Sequence, residues 1–111
     1  MNIQIFGTKK CQDSKKAERF FKERNIKYHY RDLTEKGISK GELDNICRSV
    51  KLEDLIDREG KQYRTRNLAY IIHDVETILL EDPLLFKTPV VRNGNYSTVG
   101  YQPEIWKKWI G

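Results

Sequence analysis

Cysteine is scarce in this sequence: Cys11 and Cys47 are the only two among 111 residues. Two thiols are too few to staple a secreted, disulfide-built module, so a reducing cytoplasm is the expected compartment. The opening stretch Met1-Asn2-Ile3-Gln4-Ile5-Phe6 agrees, because it reads as a strand and lacks the basic-then-apolar layout of a secretion signal. Long apolar runs are missing as well. A stretch such as Leu68-Ala69-Tyr70-Ile71-Ile72 falls far short of the roughly 20 residues that span a bilayer, and no membrane role is expected. There is no internal repeat, no low-complexity segment, no linker, and no phosphate-loop or dinucleotide fingerprint. The two histidines, His29 and His73, belong to no Cys/His/Asp cluster with zinc-ligand spacing, so no metal is expected.

What is present is charge and a modest apolar complement. Charged residues make up 33% of the chain and hydrophobic ones 38%, with 11% aromatic. This supports one small core beneath a heavily charged surface, and the length suits a single domain, 1–111. The net charge of +5 is spread along the chain without a Lys/Arg-only block. It can attract anions, but nucleic-acid binding has nothing else behind it.

The order of elements carries the fold. Residues 2–6 read as a strand ended by Gly7. Ala17, Phe20 and Phe21 then recur at helical spacing between Ser14 and Arg24, and Ile26–Leu33 alternates as a second strand. Strand, helix, strand implies a parallel pair with a right-handed crossover. Ser39 with Glu42 has capping-box spacing and opens a helix whose apolar face is Leu43, Ile46, Cys47 and Val50, making Cys47 a buried core residue. A short helix follows at Leu52–Ile56, then a polar, basic loop through Lys61-Gln62-Tyr63-Arg64-Thr65-Arg66. Another helix lies within Asp74–Leu80, capped by Asp74 and closed by Pro83. Pro89-Val90-Val91-Arg92, Asn93-Gly94 and Asn95–Val99 read as a hairpin, since Asn-Gly between strand-like runs is a strong hairpin signal. Ile105, Trp106 and Trp109 mark a last helix. The expected fold is α/β and thioredoxin-like, a βαβ unit and a ββα unit sharing a four-stranded mixed sheet, with a helical insertion at about 37–82.

Chemistry concentrates at Cys11. It lies between the first strand's loop, Gly7-Thr8-Lys9-Lys10, and the first helix, where unpaired N–H groups and the positive end of the helix dipole favour a thiolate. Lys9, Lys10 and Lys15 add positive charge, and the Ser14 hydroxyl can donate to the sulfur. Cys11-Gln12-Asp13-Ser14 is Cys-x-x-Ser, so no disulfide can form across this turn. Turnover would need a mixed disulfide resolved by an outside thiol. Thr88-Pro89 opens the hairpin, where the thioredoxin-like arrangement places a cis proline against the cysteine, with the preceding residue's backbone free for substrate. Lys61, Arg64 and Arg66 form the densest cationic patch, readable equally as an oxyanion or thiol-peptide pocket and as a solvated loop.

These residues resemble a known family. Ile5-Phe6-Gly7-Thr8-Lys9-Lys10-Cys11-Gln12-Asp13-Ser14-Lys15-Lys16-Ala17 looks like the opening of the glutaredoxin-type arsenate reductase and Spx family. So do Tyr30-Arg31-Asp32-Leu33, Gly37-Ile38-Ser39 with Glu42-Leu43, the run Glu81–Val91, and Gly100-Tyr101. The resemblance covers almost the whole chain. It implies a thiol oxidoreductase with Cys11 as nucleophile and Ser14 supporting it, Lys10, Thr88 and Pro89 on the substrate side, and glutathione or a glutaredoxin as reductant of an oxyanion or disulfide. The alternative it implies is an Spx-like regulator that binds RNA polymerase, although Spx proteins usually carry Cys-x-x-Cys. Arsenate reductases of this type usually place an arginine before the sheet proline, where this chain has Thr88. A second arginine falls near Gly100 or Tyr101, and a third near Asp57 or Arg58, so Arg58 is the one stand-in. Arsenate needs forked, permanently charged donors, and the pattern speaks against it as substrate.

Overall fold

A computed structural model describes the whole chain, Met1–Gly111. The first strand, β1 (Ile3–Gly7), leads into helix α1 (Gln12–Glu23) and strand β2 (Tyr28–Asp32). Four helices follow: α2 (Lys40–Ile46), α3 (Leu52–Leu55), α4 (Lys61–Thr65) and α5 (Val75–Glu81), with short 3₁₀ turns at Leu68–Tyr70 and Pro83–Leu85. The chain closes with β3 (Val90–Asn93), β4 (Tyr96–Val99) and α6 (Pro103–Ile110). The sheet order is β2-β1-β3-β4, with β1 parallel to β2 and the other pairings antiparallel. This is the four-stranded mixed sheet of a thioredoxin-like fold.

The two central strands, β1 and β3, are buried on both faces because their side chains alternate between two cores. Ile3, Ile5 and Val91 join Ala17, Phe20, Phe21 and Trp106 on the α1/α6 side. Phe6 and Val90 join the fourteen-residue core under the inserted helices, with Leu43, Ile46, Leu55, Leu79 and Phe86. On the first side Phe20, Phe21 and Trp106 pack with ring centroids 5.0–5.4 Å apart, and the Trp106 Nε1–H donates to Thr98 Oγ1 at 2.8 Å. A buried indole therefore keeps its N–H satisfied.

Local sequence sets the ends of the helices. Asn25 takes a left-handed φ of 57°, and the Asn25 and Ile26 N–H groups bond to the Lys22 and Phe21 carbonyls, a Schellman ending for α1. At α2 the Ser39/Glu42 capping box forms in both directions. Asp74 caps α5 by accepting from the Thr77 N–H, while Pro83 opens the following 3₁₀ turn.

Three expectations need correction. Residues 61–66 are not a loop: Lys61–Thr65 is helix α4, a five-residue turn that buries only Tyr63 and is braced by Gln62 and Arg66 on the Asp82 carboxylate at 2.6 and 3.0 Å. The hairpin turn is Gly94-Asn95, one residue later than Asn93-Gly94, because Asn93 pairs with Tyr96. Gly94 has φ +61° and Asn95 a negative φ, the sign pattern of a type II′ turn with glycine first. Cys47 is not a core residue. Helix α2 ends at Ile46, Cys47 is its exposed C-cap, and only Leu43 and Ile46 of the expected stripe are fully buried.

Candidate active site

A β-turn, Thr8 to Cys11, carries the chain from β1 into α1, with the Cys11 N–H bonded to the Thr8 carbonyl at 3.2 Å. Cys11 becomes the N-cap of α1 with extended backbone, and no side chain caps the helix. The first intrahelical bond is Lys15 N–H to the Cys11 carbonyl. The N–H groups of Gln12, Asp13 and Ser14 thus remain without acceptors at the positive end of a twelve-residue helix. The Cys11 sulfur is half-buried and donates to the Thr88 carbonyl at 3.6 Å, within the longer reach of a sulfur donor.

Thr88 is brought there by the opposite half of the molecule. Ile56 bridges Phe86, the Asp57 N–H bonds to the Leu85 carbonyl at 2.9 Å, and the Lys87 N–H bonds to the Leu55 carbonyl at 2.7 Å. This short ladder ties the α3–α4 connection to the approach of β3. The Thr88–Pro89 peptide is cis, and the Pro89 carbonyl is held by the Gly100 N–H at 2.8 Å. Neither the N–H nor the carbonyl of Thr88 enters a backbone–backbone hydrogen bond. Beside the sulfur, the Thr88 carbonyl is therefore met only by Cys11, and the Thr88 N–H has no partner.

A cleft of about 420 Å³ opens over Cys11. Thr8 and Lys10 line it from the β1–α1 turn, Asp57, Gly60, Lys61 and Gln62 from the α3–α4 segment, and Thr88 and Phe86 from the approach to β3. Of the residues expected to act together, the structure gathers Cys11, Lys10 and Thr88 in this cleft, with Pro89 buried next in the chain. Arg58 does not join them. Its guanidinium is turned away and held on Glu53, at 2.6 Å to the carboxylate and 3.1 Å to the carbonyl. Its neighbour Asp57 faces the cleft instead.

Ser14 departs from expectation too. It is fully buried, and its hydroxyl makes no hydrogen bond to Cys11 or to any other group. It packs on Gly7: a Cβ added there would lie 2.8 Å from the Ser14 Cβ, closer still to its Oγ, and 3.1 Å from the Tyr30 hydroxyl. Glycine at the end of β1 thus lets the first turn of α1 seat on the sheet. Burial, reinforced by Glu18, Asp32 and Cys11, pushes the Tyr30 phenol up to about 12, so a neutral hydroxyl borders the site.

Sequence reasoning missed Asp57, Lys61 and Gln62 as a group. Lys61 was visible within a cationic patch, but nothing in the sequence oriented that patch, and the patch divides in the fold. Lys61 enters the cleft, whereas Arg66 pairs with Asp82 at 3.0 Å.

The family model for ArsC, described as the ArsC family, matches residues 6–109. The chain belongs to the ArsC family. Among curated relatives, the global transcriptional regulator Spx 2 of Oceanobacillus iheyensis is 25% identical over 99% of this chain and 84% of its own length. The regulator Spx of Staphylococcus saprophyticus is 20% identical over 97% and 86%. Among solved structures, an ArsC family related protein from Bacteroides fragilis superposes with a TM-score of 0.84 at 23% identity, covering 97% of both chains. The arsenate reductase from Vibrio cholerae does so with 0.79 at 18% identity, again over 97% of both. At these identities the structural likeness shows a shared fold. No helix of this ArsC-family chain is long and apolar enough to cross a membrane.

Proposed function

We propose that this protein is a thiol–disulfide oxidoreductase with Cys11 as its single nucleophile. The observation that carries the reading is the position of the Cys11 sulfur, at an uncapped helix N-terminus and 3.6 Å from the carbonyl of Thr88, a residue outside every backbone–backbone hydrogen bond. The Cys11 thiolate attacks one sulfur of a substrate disulfide. A Cys11–sulfur bond forms as the substrate S–S bond breaks, and the departing thiolate takes a proton from solvent. An external thiol, glutathione or a glutaredoxin, then attacks the mixed disulfide, is itself oxidised, and returns Cys11 to the thiolate. Thr88, beside Pro89, offers its main chain to an extended substrate, and Lys10 supplies positive charge. Ser14 acts by seating the first turn of α1.

Arsenate is not the substrate in this reading. No arginine lines the cleft, and an oxyanion dianion would have only flexible lysines and backbone N–H groups to neutralise it, beside the carboxylate of Asp57. The test is a turnover assay with arsenate and with a glutathione mixed disulfide. Wild type should reduce the mixed disulfide and leave arsenate at background, and Cys11→Ser should reduce neither. Activity surviving in Cys11→Ser would remove Cys11 from the mechanism.

A second reading rests on the curated relatives, both of them Spx regulators matched along most of their length. In it the chain docks on RNA polymerase and the thiol is incidental. Capture of polymerase subunits by the immobilised protein, undiminished in Cys11→Ser, would favour it over the enzymatic reading.

A further inference from the structure

We propose that the Cys11 cleft selects disulfides that carry an amino-acid head, ammonium and carboxylate together, and that Asp57 is the residue that receives the ammonium. The inference rests on the oxidoreductase reading above and names its substrate class. Among the charged side chains lining the cleft, Lys10, Lys61 and Asp57 take part in no ion pair. Two neighbouring groups are already engaged elsewhere: the Gln62 amide donates to Asp82 at 2.6 Å and Arg58 is held on Glu53. One oxygen of Asp57, Oδ1, accepts from the Glu59 N–H at 3.3 Å, and Oδ2 accepts no hydrogen bond. The Asp57 backbone is itself fixed in place, because its N–H bonds to the Leu85 carbonyl at 2.9 Å, two residues before Lys87 and three before Thr88. The cleft thus presents two ammonium groups and one carboxylate around a single sulfur.

Each ligand charge type meets this arrangement differently. A neutral disulfide gains nothing from the three charges. A dianion is attracted by Lys10 and Lys61 but pressed against Asp57, and a dication meets the reverse. A zwitterion alone can place a carboxylate near the lysines and an ammonium near Asp57. The reaction is the one already given. The Cys11–sulfur bond forms, the substrate disulfide breaks, one amino-acid thiol leaves and is protonated by solvent, and the other stays on Cys11 until an external thiol displaces it.

The experiment uses reduced full-length protein carrying Cys47→Ser, so that one thiol reports. Formation of the mixed disulfide is timed by acid quench and intact-mass measurement. The probes are homocystine, the disulfide of γ-mercaptobutyrate, which differs only in lacking the ammonium groups, and the neutral disulfide of mercaptoethanol. Each rate is divided by that of the same disulfide with a small free thiol. Homocystine should exceed its anionic twin by about threefold to fivefold, the scale of a partly exposed ion pair. Asp57→Asn keeps the oxygen that accepts from Glu59, so the turn survives, and it should bring the two rates within about 1.5-fold. Lys61→Gln should slow both carboxylate-bearing probes more than the neutral one, and equal slowing of all three would remove Lys61 from carboxylate recognition. Equal rates for homocystine and its twin in wild type, or a preference that persists in Asp57→Asn, would overturn the proposal while leaving Cys11 as nucleophile. No adduct on Cys11 with any probe would overturn the oxidoreductase reading itself.

Discussion

The two cysteines terminate two helices at opposite ends, and their surroundings differ accordingly. Cys11 is the N-cap of α1, where unpaired N–H groups gather and the helix dipole is positive. Cys47 is the C-cap of α2, where carbonyls gather and the dipole is negative. Partial burial pushes the Cys47 thiol up, and the carboxylates of Asp44 and Glu76 push it further. The same side chain thus meets unpaired N–H donors at one helix end and, at the other, carbonyls and carboxylates that hold it as the neutral thiol. The supporting structure differs too: the α1 end leans on seven buried residues around Trp106, and the α2 end on fourteen and a charged capping network.

The largest expected effect separates chemistry from stability. Cys11→Ser should abolish mixed-disulfide formation, read by intact mass. It should also raise unfolding stability by about 0.5–1 kcal/mol, because serine is a far better N-cap and α1 has no side-chain cap. A denaturant midpoint unchanged or lowered would show that Cys11 is itself a structural cap. Next comes the wall behind the site. Trp106→Ala removes a fully buried indole and its bond to Thr98, and should cost about 3–5 kcal/mol in urea unfolding, with hydrogen-exchange protection lost in α1 before α2. Simultaneous loss in both helices would mean that the two cores act as one.

Gly7→Ala tests the seat of the nucleophile more narrowly. The added methyl would meet Ser14 and the Tyr30 hydroxyl, so α1 must lift at its first turn. The expected cost is about 1–3 kcal/mol, with slower alkylation of Cys11 and no change at Cys47. Unchanged alkylation at Cys11 would show that the first turn of α1 tolerates displacement without moving the sulfur.

Legibility in the sequence followed the strength of the local signal. Strands β1 and β3 announced themselves through Ile3, Ile5, Val90 and Val91, and α1 through Ala17, Phe20 and Phe21, because a core imposes periodicity on whatever it buries. The Ser39/Glu42 box and the Asp74 cap were readable because capping is chemistry between neighbours in the chain. Helix α4 was not readable: a five-residue turn with one buried side chain has no period, and its braces come from Asp82, distant in sequence. Cys47 misled because helical periodicity extrapolates past a helix end, and nothing in Cys47-Arg48-Ser49 marks that end at Ile46. The site divided in the same way. Cys11 and Thr88-Pro89 sit at element junctions and could be placed from order alone, whereas Asp57 and not Arg58 lines the cleft, in a segment tied to the approach of β3 by an isolated bridge between Ile56 and Phe86 that no local pattern encodes.

The charged network under α2 sharpens the contrast through pH. Burial by itself pushes the Glu42 carboxyl up, but the Arg31 guanidinium at 2.6 Å and the Ser39 cap outweigh it and hold the carboxyl below its ordinary 4.5. A group whose value is lowered by folding stabilises above its unfolded value and loses that contribution as pH falls through the folded one. Glu42→Gln keeps an acceptor for Ser39 but loses the ion pair. It should therefore cost roughly 1–2 kcal/mol at pH 7, a difference that shrinks steadily below about pH 4. A mutational cost constant from pH 7 to pH 3 would assign the effect to packing.

The smallest effect is expected at Cys47 itself. Serine there exchanges one exposed polar group for another at a helix C-cap, where the backbone N–H bonds to the Asn45 and Leu43 carbonyls supply the ending and the side chain supplies none of it. Cys47→Ser should shift stability by less than about 0.5 kcal/mol and leave mixed-disulfide formation at Cys11 untouched. The thiol's own reactivity supplies the sharper measurement. With Asp44 and Glu76 both holding the thiol in its neutral form, Asp44→Asn should speed alkylation of Cys47 at neutral pH while Cys11 reacts as before. An unaltered rate would mean that burial alone raises this thiol, and that the carboxylates beside it contribute only to the surface.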